Sequence, residues 1–255
     1  MLEKRVQCPF CSPDKSASMS LNQSTGWFYC FRCGYKGREK AHNATGVVLS
    51  SLANAHVPST LALPEGFQSL GLVTRTGRLT ERIFLHYLKR RGLTQVEIDK
   101  FQIGFTMRGP CRGRVIFPIY RGNELVYFVA RSIMPKPKRR YMNPPLPKGG
   151  VIFKTFTGKA PMACIVEGVF DAVSTGRVIP SIALLTKRIS QEQLSEIRAS
   201  CSRAIVMLDS DAVKEALEVS EQVGHFLPTE ISLLGKGDPG EMPPYMIREQ
   251  LSRWL

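Results

Sequence analysis

The chain has 255 residues, of which 43% are apolar, so it is long and apolar enough to fold around a sizeable core. Lys and Arg number 35 against 21 Asp and Glu, a formal net charge of +14, which favours a polyanionic partner over a merely solvated basic surface. No run of 18 apolar residues occurs, and the amino terminus, MLEKRVQCPF, lacks the apolar stretch of a signal peptide. The sequence therefore predicts no membrane insertion or export, and a cytoplasmic protein with reduced cysteines.

Four of the seven cysteines form two Cys-x-x-Cys pairs separated by 18 residues: Cys8, Cys11, Cys30 and Cys33. Two such pairs supply the four thiolates that Zn²⁺ accepts in a closed tetrahedral site. The residues between them are typical of short strands with a turn at Gly26. So small a unit cannot bury a core of its own and depends on its metal. We predict one structural zinc in a β ribbon over residues 1–40.

Three residues near the second cysteine pair have the character of a nucleic-acid contact. Trp27 and Tyr29 could stack on template bases, and Arg32 could meet a phosphate, as in proteins that bind single strands. Aromatic residues in so small a unit could equally fill its core. The sequence leaves both interpretations open.

Residues 41–63 carry no acidic residue, Lys or Arg and predict a flexible linker. Two helices separated by Gly92 follow, with Thr80 and Thr94 as predicted N-caps. Their packing face is predicted at helical spacing and comprises Ile83, Phe84, Tyr87 and Leu88.

Beyond residue 112, two β-rich runs flank a turn at Gly122-Asn123. A basic, Pro-rich loop, MPKPKRRYMNPPLPKGG, comes next, and a loop of this length within a domain favours a functional role over a solvated charge run.

The last third of the chain alternates between strands and helices. Apolar runs predict four strands, at residues 163–166, 182–185, 204–208 and 230–234, and helical spacing predicts two helices, at residues 190–199 and 212–223. Apolar strands that alternate with helices indicate a mainly parallel sheet covered on both sides. The fold class is therefore α/β.

Acidic residues follow the predicted strands in this otherwise basic chain. Glu167 follows the first strand, Asp209 and Asp211 follow the third, and Asp171 and Asp238 lie nearby. Open α/β sheets bind ligands at the carboxyl ends of their strands. Converging carboxylates repel one another unless they are protonated or bridged by cations, and Mg²⁺ or Mn²⁺ is the natural bridge. The alternative for the Asp-x-Asp pair is an N-cap of the following helix.

The motifs EGVFD, LDSD and GKGDPGE, in this order and on these strands, resemble the TOPRIM fold. The segments YLKRRGLTQVEIDKFQIGF, GRVIFPI, FVAR and RRYMN resemble the polymerase domain of DnaG-type primases, and the four-cysteine ribbon resembles that of T7-like phage primases. The resemblance implies a zinc ribbon (1–40), a linker (41–63), an α+β amino-terminal polymerase subdomain (64–160) and a TOPRIM subdomain (161–255).

The resemblance also implies residue roles. Glu167, Asp209 and Asp211 would be the catalytic, metal-binding acids, with Glu167 either a ligand or a base, and Asp171 and Asp238 would support them. Contacts to nucleotide and template are implied for the basic motifs and loop: Arg114, Arg131, Lys138, Arg139, Arg140, Tyr141, Asn143 and Lys187. Lys187 is included among these contacts because Thr186-Lys187-Arg188 replaces the family's glycine-containing turn.

The implied activity is that of a DNA-dependent RNA primase that acts on a single-stranded template with ribonucleoside triphosphates, in the bacterial host cytoplasm if phage-encoded. Gly158-Lys159 is no phosphate loop, because Phe153 and Ala160 replace its glycine and hydroxyl residues, so a separate replicative helicase is expected. Primer hand-off to a DNA polymerase would follow. A RecR-like DNA-binding factor and a TOPRIM nuclease are the alternatives.

Overall fold

The computed structural model of the protein describes residues 3–7, 17–31, 36–38, 61–71, 78–186 and 188–255. This part of the chain contains three sheets. Most of the predicted linker lies outside the described residues, as do five predicted site residues: Cys8, Cys11, Arg32, Cys33 and Lys187.

The first sheet is an antiparallel ribbon whose strands pair in chain order. Its strands are β1 (Glu3–Val6), β2 (Met19–Asn22), β3 (Trp27–Cys30) and β4 (Lys36–Arg38). Gly26 has φ 69° and donates its N–H to the Asn22 carbonyl at 2.8 Å, a backbone conformation that glycine adopts without strain. The predicted ribbon and its glycine turn are confirmed.

The second sheet is also antiparallel and carries two helices. Its strands are β5 (Gln68–Ser69), β6 (Gly104–Thr106), β7 (Arg114–Arg121) and β8 (Glu124–Ser132), and the helices are α1 (Leu79–Arg90) and α2 (Gln95–Lys100). The predicted turn at Gly122-Asn123 joins β7 to β8, with Gly122 at φ 58°. On α1, Phe84 and Leu88 are buried, but Ile83 is 50% exposed, so the predicted packing face was too wide.

One of the two predicted helix caps is correct. The Thr94 hydroxyl accepts a hydrogen bond from the Glu97 N–H at 3.3 Å, and the Glu97 carboxylate accepts one from the Thr94 N–H at 2.7 Å, the predicted capping box. Thr80 is not a cap. The N-cap is Arg78, two residues earlier, whose N–H donates to the Glu81 carboxylate at 2.8 Å.

The third sheet is the predicted, mainly parallel one. Its strands are β9 (Phe153–Lys154), β10 (Ala163–Val166), β11 (Ser181–Ala183), β12 (Ala204–Val206) and β13 (Thr229–Ile231). Their order is β13-β12-β10-β11-β9, and β9 alone among them is antiparallel to its neighbour. The chain passes from β10 to β11 on one side and then to β12 on the other, which opens a crevice between the ends of β10 and β12.

Four helices accompany this sheet: α3 (Val169–Thr175), α4 (Gln191–Ser200), α5 (Val213–Gly224) and α6 (Pro244–Gln250). The predicted helices correspond to α4 and α5, whereas no pattern predicted α3 or α6. A 3-10 turn, Pro239–Glu241, precedes α6. In the described segments, no helix has both the length and the apolar character needed to span a bilayer.

One cluster of buried side chains joins the second and third sheets. It runs from Phe84 on α1 through Phe117 on β7 to Phe170 on α3, and the rings of Phe117 and Phe170 lie 4.8 Å apart. The cluster crosses the predicted boundary between residues 160 and 161. Helix α3 is buried along its whole length, so the position of its side chains is set from both sheets.

A partly buried ion pair also links the two parts. Arg177, just after α3, donates from Nε to Glu97 Oε1 at 2.6 Å and from a terminal nitrogen to Glu97 Oε2 at 2.8 Å. Burial alone would raise the pKa of Glu97, but the hydrogen bonds from Arg177 and Thr94 outweigh it and hold the pKa below its ordinary value of 4.5. The pair therefore stabilises the folded protein where Glu97 is ionised.

Glu97→Gln should lower the free energy of unfolding at neutral pH by about 2 kcal/mol, the scale of a charge-assisted hydrogen bond. Because the folded pKa is lowered, this contribution is present above pH 4.5 and is lost as the pH falls through the folded value. Urea unfolding of both proteins at neutral and acid pH measures it. Glu124→Gln, which alters an exposed acid at the hairpin tip, is the control, and a loss of equal size at both pH values would contradict the assignment.

Candidate active site

Two neighbouring parallel strands bring the predicted acids to one crevice. Glu167 directly follows β10, and Asp209 lies just beyond β12, which pairs with β10. The Met207 N–H donates to the Ile165 carbonyl at 2.9 Å, so the pairing continues beyond β12 toward Asp209. The Leu185 N–H donates to the Glu167 carbonyl at 2.9 Å, which fixes the backbone on the other side.

The five predicted acids lie within electrostatic reach of one another. Burial, and then the charges of Asp171, Glu167, Asp238 and Asp211, raise the pKa of Asp209 to about 7. The structure thus brings these acids together as expected. Among the described residues, however, no three His, Cys, Asp or Glu side chains form a ready-made metal site.

Asp171 organises this cluster from within. It is 7% exposed, and its two carboxylate oxygens accept the Gly168 N–H at 2.8 Å and the Gly240 N–H at 3.1 Å. Burial and the nearby Asp238 raise the pKa of Asp171 to about 6. A Cβ at position 240 would lie 2.5 Å from Asp171 Oδ1, so only glycine permits this approach. Asp171 therefore holds the turn that carries Asp238.

Two carboxylate oxygens in the cluster have the character of metal ligands. Oδ1 of Asp209 and Oδ1 of Asp238 are buried and have no hydrogen-bond partner within the described part of the chain. A buried oxygen without a partner is costly, and hard carboxylate oxygens suit Mg²⁺ or Mn²⁺. The residues present therefore fit a divalent cation.

The Asp-x-Asp pair does not cap the helix that follows it. Helix α5 has Ala212 as its N-cap and receives no hydrogen bond from a side chain there. Asp211 is exposed, and its charge contributes to the raised pKa of Asp209. The capping hypothesis is therefore wrong, and Asp211 lies within electrostatic reach of Asp209.

A fixed arginine lies beside the acids. Arg131 on β8 donates from Nε to the Tyr87 hydroxyl at 2.9 Å and from a terminal nitrogen to the Tyr141 hydroxyl. Its guanidinium lies 5.3 Å from the ring centre of Tyr141 and 5.0 Å from that of Phe170. Since Phe170 directly precedes Asp171, a positive charge is held next to the acid cluster, and its hydrogen bonds go to tyrosines rather than to carboxylates.

Two residues predicted to contact the nucleotide hold the loop after β8 against the neighbouring strands. Arg114 is 8% exposed, and its terminal nitrogens donate to the carbonyls of Arg140 at 3.0 Å and Arg139 at 2.8 Å. Asn143 accepts the Ala130 N–H through Oδ1 at 3.2 Å. These contacts position the loop, and a contact with nucleotide stays a prediction for both residues. Lys138, Arg139, Arg140 and Tyr141 are exposed, as a contact surface requires.

The ribbon separates its aromatic residues by face. Trp27 is 50% exposed and Tyr29 44%, whereas Phe28 and Cys30 on the alternate positions of β3 are buried. Phe28 therefore fills the small core, and Trp27 and Tyr29 remain available to a ligand. Phe31, which no pattern singled out, is also exposed and lies 4.3 Å from the guanidinium of Arg5.

Two cations at the site were not among the predicted site residues. Lys148 donates from Nζ to the Leu185 carbonyl at 2.9 Å; burial and Lys36 lower its pKa, and Glu167 opposes them. Arg91 pairs with Glu241 at 3.1 Å, and its charge opposes the rise in the pKa of Asp171. The two glycines after Lys148 could have signalled a close backbone approach; nothing local marks Arg91 apart from its basic neighbours.

The chain is similar in sequence to bacterial DNA primases. No protein-family model matches it. A DNA primase of Campylobacter jejuni is 24% identical over 92% of this chain and 49% of its own length. A DNA primase of Halalkalibacterium halodurans is 23% identical over 80% of this chain and 46% of its own length. The chain thus spans about half the length of these curated relatives.

Solved structures agree with the sequence comparison. The Aquifex aeolicus primase, comprising its zinc-binding and RNA polymerase domains, matches with a TM-score of 0.55 and 18% identity over 99% of this chain and 79% of that one. A DnaG primase catalytic domain bound to single-stranded DNA matches with a TM-score of 0.59 and 17% identity over 69% and 73%. The resemblance drawn from the acidic motifs is confirmed, and the chain has the fold of the DnaG-type DNA primases.

Proposed function

We propose that the protein is a DNA-dependent RNA primase that makes short RNA primers on single-stranded DNA by metal-assisted nucleotidyl transfer. The observation that carries this proposal is the cluster of mutually coupled carboxylates, centred on Asp209, beside the fixed guanidinium of Arg131. Phosphoryl transfer needs positioning and charge neutralisation more than covalent help from the protein. The primase names of the matching relatives favour this activity over a RecR-like factor or a nuclease.

The acids would hold the cation. Oδ1 of Asp209 and Oδ1 of Asp238 are buried without a hydrogen-bond partner in the described part of the chain, so they would be ligands. Glu167 and Asp211 would lie beside the cation. Bound Mg²⁺ or Mn²⁺ would neutralise charge on the ribonucleoside triphosphate and favour attack by a 3′-hydroxyl. Glu167 acts either as a further ligand or as the base for that hydroxyl. Asp171 keeps the turn of Asp238 in place.

Basic residues around the acids would hold the substrate phosphates. Lys138, Arg139 and Arg140 are exposed on the loop after β8, and Arg114 fixes that loop through backbone carbonyls. Arginine and lysine donors form charge-assisted hydrogen bonds with phosphate oxygens, and such contacts set the register of a strand. Tyr141 offers an exposed ring beside Arg131 for a base or sugar.

The ribbon would select the template. One structural Zn²⁺ on Cys8, Cys11, Cys30 and Cys33 would hold β3 so that Trp27 and Tyr29 stack on template bases. A dinucleotide makes too few contacts to remain bound without help, so the ribbon would also retain the first nucleotides. The linker at 41–63 would let it reach the acids.

The cellular setting follows from the same proposal. We infer action during DNA replication, in the cytoplasm of a bacterial host if the chain is phage-encoded. A separate replicative helicase would supply single strands, and a DNA polymerase would take over the primer. Pull-down with that helicase and stimulation of priming test the first partnership, and failure of both would count against it.

Asp209→Asn should reduce RNA synthesis by at least about a hundredfold, the scale of losing one preorganised electrostatic group, while leaving the fold intact. The measurement is incorporation of labelled ribonucleotides on a single-stranded template with Mg²⁺ or Mn²⁺, together with thermal unfolding. Glu230→Gln, on the exposed face of β13, is the matched control. Template cleavage by the wild type would indicate a nuclease, and salt-sensitive DNA binding without synthesis would indicate a binding factor.

The same substitution should stabilise the metal-free protein at alkaline pH. The folded pKa of Asp209 is raised to about 7 from 3.8, so the folded protein binds this proton more tightly than the unfolded chain and loses stability as the pH rises through that window. Asparagine cannot ionise, so the variant does not lose this stability. We expect the variant's advantage in the free energy of unfolding to grow between about pH 4 and about pH 7, by about 1 kcal/mol or more, and Mg²⁺ to reverse it. An advantage independent of pH would contradict the raised pKa.

Cys30→Ser should separate initiation from extension. Loss of one of four thiolates weakens the zinc site on which the ribbon depends, so template-directed formation of the first dinucleotide should fall much more than extension of a preformed primer. Zinc content and both rates are measured. Cys201→Ser, at a buried cysteine outside the ribbon, is the control. Equal losses in both rates would show that the ribbon has no separate role.

A further inference from the structure

Gln193, in the first turn of α4, is a buried polar side chain that joins two segments far apart in the chain. It is 1% exposed. Its Nε2 donates to the carbonyls of Val151 and Leu184, each at 2.8 Å, and its Oε1 accepts the Ser190 N–H at 3.1 Å. Both N–H groups of the amide are therefore used, and an amide turned the other way would set its oxygen against two carbonyl oxygens. The side chain has one orientation, and in it the two segments are held together.

The first segment is the loop that precedes β9. The Ser190 hydroxyl donates to the Gly149 carbonyl at 2.6 Å, so the start of α4 holds this loop at more than one place. Lys148, the residue before, donates from Nζ to the Leu185 carbonyl at 2.9 Å. The loop is thereby joined to the turn after β11 twice, once through Gln193 and once through Lys148.

The second segment is the turn after β11, and its backbone is strained. Leu185 has φ 61°, in the left-handed region that a large side chain seldom adopts. Its carbonyl accepts from Lys148, and its N–H donates to the Glu167 carbonyl at 2.9 Å. The neighbouring carbonyl, of Leu184, accepts from Gln193. Hydrogen bonds on both sides of the turn therefore hold the strained conformation.

This turn fixes the backbone of one of the acids. Because the Leu185 N–H bonds the Glu167 carbonyl, relaxation of Leu185 would move the backbone that carries the Glu167 carboxylate. The charge of Glu167 acts on Asp209, so its position affects a bound cation whether or not Glu167 is a direct ligand. A displacement of about 1 Å at a reacting centre can cost about a hundredfold in rate.

We propose that Gln193 is a positioning residue for Glu167: it holds the strained turn at Leu184 and Leu185 and thereby fixes this acid within the cation-binding cluster. Gln193 acts through backbone groups, since its hydrogen bonds go to carbonyls and to one N–H. The consequence for catalysis rests on the proposed function, whereas the placement of Glu167 does not.

Gln193→Met tests the proposal, and Gln250→Met is its matched control. Methionine is an unbranched side chain of similar length that donates no hydrogen bond. Gln250 likewise donates from Nε2 twice, to Ser232 Oγ at 2.9 Å and to the Leu233 carbonyl at 3.0 Å. These bonds join α6 to the residues after β13, at the other edge of the same sheet. Both substitutions remove two donated bonds, but only Gln193 holds the turn beside Glu167.

Thermal unfolding gives the folded fraction of each variant. Gln193→Asn keeps the amide but is one methylene too short to reach both carbonyls. It replaces Gln193→Met in every comparison if methionine prevents folding, with the same changes expected.

Two measurements on the full chain need no RNA synthesis. In Gln193→Met, the Leu185 amide should exchange its hydrogen at least about tenfold faster, as expected for local opening. The Met207 amide, which bonds Ile165 on the other side of β10, should be unchanged. The dissociation constant for Mn²⁺ without nucleotide should rise about tenfold, the scale of losing an outer support of a metal site. A smaller folded fraction lowers the number of sites but not their affinity, and Gln250→Met should show neither change.

Measurement of RNA synthesis separates this inference from the proposed function. Leu185 exchange or Mn²⁺ affinity equal to that of Gln250→Met would overturn the placement of Glu167 by Gln193. If the wild type synthesises RNA, the rate per folded molecule should fall by at least about tenfold in Gln193→Met, and an unchanged rate would overturn the positioning role. A wild type that makes no RNA would remove the proposed function alone, because faster Leu185 exchange and weaker Mn²⁺ binding in Gln193→Met would still support the placement.

Discussion

Repulsion among carboxylates at the ends of β10 and β12 is the interaction on which the rest of the site depends. The pKa of Asp209 is raised to about 7 and that of Asp171 to about 6, in both cases first by burial and then by neighbouring acids. The chain has a net charge of +14, but two of its arginines near the site form hydrogen bonds elsewhere. Arg131 donates to tyrosine hydroxyls and Arg114 to backbone carbonyls. The acids are therefore left to be neutralised by protons or by bound metal, so their state responds to pH and to divalent cations.

The sheet order brings these acids together, and the buried Asp171 then keeps them in place. Because β12 returns to the other side of β10 from β11, the residues after β10 and β12 face each other across the crevice. Asp171 accepts N–H groups from Gly168, at the start of its own helix, and from Gly240, far along the chain. One carboxylate thereby ties the acid after β10 to the turn that carries Asp238, which is why position 240 tolerates no side chain.

The sequence predicted those elements whose structure depends only on residues close together in the chain. The apolar run Ala163–Val166, the hairpin turn at Gly122 and the capping box at Thr94 appear as predicted, because each depends on residues within a few positions. The strand order could not be predicted, since it depends on pairings between segments far apart in the chain. The burial of Arg114 could not be predicted for the same reason: its guanidinium is held by backbone carbonyls of the distant loop at 139–140.

The position of Phe170 shows how the core couples the acids to the arginines. Its ring packs on Phe117 of the second sheet and lies under the guanidinium groups of Arg91 and Arg131, while the next residue, Asp171, faces the acids. Helix α3 is buried throughout, so its side chains cannot shift without repacking both sheets. The spacing between the acid cluster and the guanidinium groups of Arg91 and Arg131 is therefore set by a close-packed interior rather than by a loop. A substrate that reaches across both would meet charges of opposite sign at a fixed separation, which is the preorganisation that phosphoryl transfer requires.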